Sequence, residues 1–195
     1  MDPATVKDFV SDIGEEAERL TRISEKLLTL TRMDSAVAVA EVPVDVKRVV
    51  EKVEHMLTPL ADEGEVTVET DLQEDCMVLA TEDDLYQIAF NLMENAVIHG
   101  ETHNIDVTLS SEGNCAVFTV ADDGRGIPQH LLPRLFDGSA RSDRSSDGKR
   151  SMGIGLSVCR TIVLAHGGVI RGDNRQEGGA VFTVTLPMKG ENDED

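Results

Sequence analysis

What most restricts the folding of this chain is a pair of glycine-spaced turns set against regular elements. The first, Asp122-Asp123-Gly124-Arg125-Gly126-Ile127, follows directly on an alternating run, Ala116 to Val120, that reads as a strand. The second, Gly153-Ile154-Gly155-Leu156, opens an apolar-periodic stretch from about Met152 to Ala165 that reads as a helix closed by Gly167-Gly168. A carboxylate at a strand end, followed by backbone free of side chains, lets a flat base approach closely. Unpaired N–H groups at a helix start, with the positive end of its dipole, suit phosphates. Either motif alone is equally compatible with an ordinary tight turn.

Between Glu82 and His99 lies another helical pattern, opened by the capping-box pair Thr81 and Asp84. On it Asn91 and Asn95 stand four residues apart and share a face beside an apolar stripe of Ile88, Leu92 and Ala96. Two neutral oxygen donors side by side suit a magnesium ion already held by phosphates, although such a pair on its own is usually solvated surface.

Elsewhere the pattern is that of an α+β chain. Residues 1–35 form one long amphipathic helix on Phe9, Ile13, Leu20, Ile23, Leu27 and Leu30, which needs a partner to bury its stripe. Residues 36–42 read as a linker and 43–189 as the main domain, whose first helix is capped by Asp45 and runs to about Leu60. Strands are expected at Val66 to Val68, Cys76 to Ala80, Val169 to Arg171 and Ala180 to Leu186. Ile105 to Leu109 and Ala116 to Val120 form a hairpin through Glu112-Gly113-Asn114, and a short helix ends at Phe136. The polar stretch Asp137 to Ser151 reads as a mobile loop, and residues 190–195 as a disordered acidic tail.

With 37 acidic against 18 basic residues and a formal charge of −19, the surface disfavours nucleic acid and anionic lipid. An anionic ligand would need a local cluster of donors and a metal ion to overcome that field. Cys76, Cys115 and Cys159 stand far apart, which fits reduced cytoplasmic thiols rather than a zinc site or disulfide framework. No run approaches the roughly 18 apolar residues of a membrane span.

Taken in order, Asn-x-x-x-Asn on a helix, a strand-end Asp-x-Gly-x-Gly, a polar loop and Gly-x-Gly-Leu opening a helix resemble the GHKL ATPase superfamily. Within it they resemble the sensor histidine kinases. Asn91-Leu-Met-Glu-Asn95-Ala matches the kinase N box, Asp122 to Gly126 the first glycine box, Leu135-Phe136 the F box, and Gly153 to Leu156 the second glycine box. The likeness covers roughly Val42 to Pro187 and includes His166-Gly-Gly and the closing Gly-Gly-Ala-Val-Phe-Thr-Val-Thr-Leu-Pro. The first helix is similar to the second helix of the kinase dimerisation hairpin. Met-Gly-Ile-Gly-Leu-Ser-Val-Cys-Arg followed by Ala-His-Gly-Gly is similar to the potassium-responsive sensor kinases.

The resemblance implies a Bergerat-type two-layer α/β sandwich: a mixed sheet covered by helices on one face, with the long N-terminal helix appended. It implies ATP and Mg2+ as cofactors, with Asp122 accepting a hydrogen bond from the adenine amino group beside Gly124, Gly126 and Ile127. Asn95 with Asn91 would ligate magnesium, and Gly153, Ile154, Gly155 and Leu156 would cradle phosphates. His99 would touch phosphate or merely finish its helix. Residues 137–151 would be the ATP lid, with Arg141 reaching the γ-phosphate and Lys149 and Arg150 as auxiliaries. The implied partners are a phosphoacceptor helix of the same or a partner chain, a response-regulator receiver domain and a second kinase copy in a homodimer, all in the cytoplasm.

Some residues depart from the kinase pattern. Ile98 stands where N boxes usually carry lysine, Ser139 replaces the second F-box aromatic, and Ser151 stands where the second glycine box often begins with Gly. A degenerate nucleotide-binding module is the alternative these departures raise. Hydrolysing GHKL members place a Glu four residues before the magnesium Asn; Asn91 stands there, and a carboxamide cannot act as general base. No His precedes His55, which reads as a surface residue of the first domain helix, so the acceptor is expected on a helix outside these residues.

Overall fold

The computed structural model describes residues 42–99, 101–137 and 154–189, which belong to one compact unit. The expected N-terminal helix, within the first 41 residues, residues 138–151 of the expected lid with Arg141, Lys149 and Arg150, Gly153 and the expected acidic tail lie outside the described residues, as do the side chains of His99 and Ile154.

In chain order the elements are β1 (Val42–Asp45), α1 (Val46–Glu63), β2 (Thr67–Leu72), β3 (Met77–Ala80), α2 (Glu82–His99), β4 (Asn104–Glu112) and β5 (Cys115–Asp122). A 3-10 turn (Leu132–Arg134), α3 (Ile154–Ala165), β6 (Val169–Asn174) and β7 (Ala180–Pro187) complete it. The expected caps are in place. Asp45 accepts from the Lys47 amide at 3.1 Å, and the Asp84 amide donates to Thr81 Oγ1 at 3.1 Å. Helix α1 runs on through Pro59 to Glu63, one turn beyond the expected end.

Strands β2-β4-β5-β7-β6 form a mixed sheet in which only the β2–β4 pairing is parallel. Its register sets Ile105, Val107 and Leu109 beside Val120 and Phe118, and these beside Phe182 and Val184, all on one buried face. The alternate positions Asp106, Thr108, Ser110, Thr119, Thr183 and Thr185 are polar and half-buried or exposed. The buried face and the inward stripes of the helices, Val49, Val50 and Val53 on α1, Ile88, Leu92 and Met93 on α2, Leu156, Cys159 and Val163 on α3, form one core. This is the two-layer α+β sandwich that the sequence implies, with helices on one face.

One strand was not anticipated. Val42–Asp45 pairs antiparallel with Met77–Ala80 in a separate two-stranded sheet, so the domain starts at the end of the expected linker. The short helix before Phe136 is a single 3-10 turn. Among the described residues no helix is long and apolar enough to cross a membrane, and the three cysteines are free.

Candidate functional site

Strand β5 ends by handing two adjacent carboxylates to opposite tasks. Asp122 completes the inward face and is buried. Its Oδ1 accepts from the Gly124 amide at 3.0 Å and from the Ala180 amide at 3.1 Å, which fixes the side chain at the root of the first glycine turn. With Oδ1 so engaged, Oδ2 is the oxygen left for a donor on a ligand.

Asp123, just past the pleat, faces the loop that follows α2. The Thr102 hydroxyl, the Asn104 amide and side chain and the His103 amide all donate to it, the last three at 3.0, 2.7 and 2.9 Å. These donors, Thr102 first, hold its carboxyl well below the usual carboxylate range. The anchoring is therefore complete above the unfolded carboxyl's value of about 4 and is lost as pH falls below it toward the folded value. Asp123→Ala should lower stability in urea at pH 7 by about 1 kcal/mol, a modest figure because solvent screens so exposed a group. The difference from the parent chain should shrink as pH drops from about 4 to 2; a difference constant with pH would refute the anchoring. Arg125 and Glu101 add an exposed ion pair at 3.0 Å across the same gap.

Opposite, the N-box helix meets the second glycine turn. A Cβ on Gly155 would lie 3.1 Å from Asn91 Oδ1 and 3.3 Å from its Cγ, so the missing side chain lets α3 close on α2. Asn91 is buried, not a solvated surface residue, with its Oδ1 against Gly155. It stands near the Cys159 thiol, which burial pushes up to about 12 and so keeps protonated. Asn95, one turn on, is half-buried, and Leu156 is buried in the core. His166, after α3, reaches Asp84 at the start of α2 with Nε2 3.2 Å from Oδ2, tying the far ends of the two helices.

The β6–β7 turn braces the first glycine turn. Arg175 Nη1 donates to the Asp122 carbonyl at 3.2 Å and to Asp106 Oδ2 at 3.1 Å. Gly179, at φ +89°, packs so tightly that a Cβ there would lie 1.9 Å from the Asp122 carbonyl oxygen. Ile127 is buried behind Gly126, its amide and its carbonyl both hydrogen-bonded to Asn174. Asp123 lies within the first glycine box without an assigned role, and Arg175 and Asn174 carried no motif in the sequence, since their partners are distant along the chain.

Residues 80–190 match the family described as histidine kinase-, DNA gyrase B- and HSP90-like ATPases. The chain is similar to the probable sensor histidine kinase TcrY of Mycobacterium tuberculosis, 34% identical over 97% of this chain and 40% of that protein. It is also similar to the sensor protein KdpD of Clostridium acetobutylicum, 29% identical over 97% of this chain and 21% of that one. It thus spans well under half the length of these curated relatives. Among solved structures, full-length ShkA in complex with AMPPNP superposes with a TM-score of 0.76 at 26% identity, covering 93% of this chain and 38% of that one. A nucleotide-free catalytic domain of the histidine kinase ThkA shares the fold, with a TM-score of 0.67 at 24% identity over 76% of this chain and 98% of that one.

Proposed function

Because the chain belongs to the histidine kinase-, DNA gyrase B- and HSP90-like ATPases, we propose that it is the ATP-binding catalytic part of a two-component sensor histidine kinase. The observation that carries this reading is the convergence of Asn91 on Gly155. It packs the carboxamide-bearing helix α2, through Asn91 Oδ1, against the start of α3 where the backbone carries no side chain. A phosphate-bearing ligand fits the start of α3, because its oxygens supply acceptors for the first backbone amides, which have no partner within the helix.

In this reading Asp122 Oδ2 accepts from the exocyclic amino group of adenine, a polarity that guanine, with a carbonyl there, cannot match. Gly124, Gly126 and Ile127 form the floor for the base, and the amides of Gly153, Ile154, Gly155 and Leu156 face the phosphates. Asn95, with Asn91, would hold magnesium, which supplies charge neutralisation on the phosphates when bound. His99 and Arg141 complete the phosphate end. The histidine kinase reaction forms a P–N bond to an acceptor histidine as the bond between the γ-phosphorus and the bridging oxygen breaks, and ADP leaves. For the protein this is mostly positioning and charge stabilisation.

The acceptor helix lies outside these residues, as would the receiver-domain partner and any homodimer contact. Hydrolysis is disfavoured because a carboxamide stands at the general-base position and is packed against Gly155.

Calorimetric titration with MgATP should give saturable, equimolar binding. Adding a separately made hairpin with the acceptor histidine should then yield acid-labile phosphate on that hairpin. Absence of nucleotide binding would end the nucleotide reading, and binding without transfer to any acceptor hairpin would favour the degenerate module.

A further inference from the structure

We infer that Asn174 is a positioning residue of the nucleotide site, holding the backbone of Ile127 so that the first glycine turn keeps a fixed floor for the base. The inference rests on the nucleotide reading above and adds to it a residue no motif assigns. Asn174 closes β6, and its carboxamide pairs in both senses with the backbone of one residue, spanning the two peptides that flank its Cα. The Ile127 amide donates to Oδ1 at 2.6 Å, and Nδ2 donates to the Ile127 carbonyl at 2.7 Å. No other side chain of this size offers a donor and an acceptor in one plane at that spacing.

The placement makes the pair more than a strand cap. The turn from Asp122 to Ile127 is fixed at its first residue through the Ala180 amide and at its last through Asn174. Ala180 and Asn174 are themselves paired across β6 and β7, so both anchors belong to one rigid rung of the sheet. Between them Gly126 sits at φ +69°, and a Cβ there would fall 2.7 Å from Asn174 Oδ1. The clamp and the bare backbone at Gly126 require one another: the Asn174 side chain occupies the space that the glycine leaves. Loss of the clamp frees the end of the turn beneath the base and leaves the phosphate end, built from α2 and α3, untouched.

The test uses the whole chain with Asn174→Ala and Asn174→Asp, the latter equal in size but turning a carboxylate toward the Ile127 carbonyl. MgATP and MgGTP affinities are measured by competition against a fluorescent ATP analogue, and exchange of the Ile127 amide is followed by NMR. Both variants should raise the Kd for ATP about tenfold and leave that for GTP within about twofold, so that the preference for adenine falls. The Ile127 amide should exchange faster. A purely structural role would weaken both nucleotides alike or neither, and either result overturns the inference. Should the alanine variant not fold, the aspartate variant decides. If neither parent nor variants bind MgATP, the nucleotide reading itself fails; if Asp122→Asn leaves ATP affinity intact, the base is not read at this turn and the positioning role falls with it. If Asp122→Asn abolishes binding while both Asn174 variants retain affinity and preference, only the positioning role is overturned.

Discussion

Gly179→Ala should leave the domain unable to hold its sheet together at ordinary temperatures, with a loss of more than about 3 kcal/mol in urea denaturation. At φ +89° the new side chain is already strained. Its Cβ would also stand 1.9 Å from the Asp122 carbonyl oxygen, 2.7 Å from the carbonyl carbon and 3.0 Å from Asp123 Cα. All three are backbone atoms of the end of β5, so no rotamer change relieves the clash. The strand end must move, and with it the Arg175 and Ala180 hydrogen bonds to Asp122. Glu177→Ala, an exposed change in the same turn, should stay within about 0.5 kcal/mol of the parent. A Gly179→Ala protein as stable as the Glu177 variant would show that the turn is not packed as described.

Asp122→Asn should weaken MgATP binding about a hundredfold while shifting the unfolding midpoint little. The substitution keeps an oxygen for the Gly124 and Ala180 amides, so the fold's own use of the side chain survives. It replaces the other oxygen by an NH2 group, which meets the adenine amino group donor to donor. The lost charge-assisted bond and the unsatisfied donors together account for roughly 3 kcal/mol. By the same polarity, affinity for GTP should rise or hold steady. Calorimetry on parent and variant measures both; unchanged ATP affinity would remove Asp122 from the base site.

The elements were legible where their causes are local. Asp45 and Thr81 announce their helices because a cap acts within three residues, and the strands flanking Gly113 announce a hairpin because the turn sets its register. Strand β1 was hidden because Val42–Asp45 becomes a strand only by meeting Met77–Ala80 more than thirty positions away. The glycine boxes could be found as motifs, yet what fixes them could not. Asn174 and Arg175 act on residues about fifty positions earlier, and nothing in their own surroundings marks them. The burial of Asn91 was similarly invisible, since helical spacing gives the face a residue occupies and not which neighbouring helix closes over it.

The opposite orientations of Asp122 and Asp123 also limit how relatives of this chain can diverge in length. Side chains alternate along a strand, so inserting or deleting one residue within Cys115–Asp122 would exchange the two acids, setting one against the loop and the other in the pocket with their duties reversed. Length variation should therefore accumulate at the distal Gly113-Asn114 bend, about 25 Å away along the strand, where an extra residue alters neither acid's orientation.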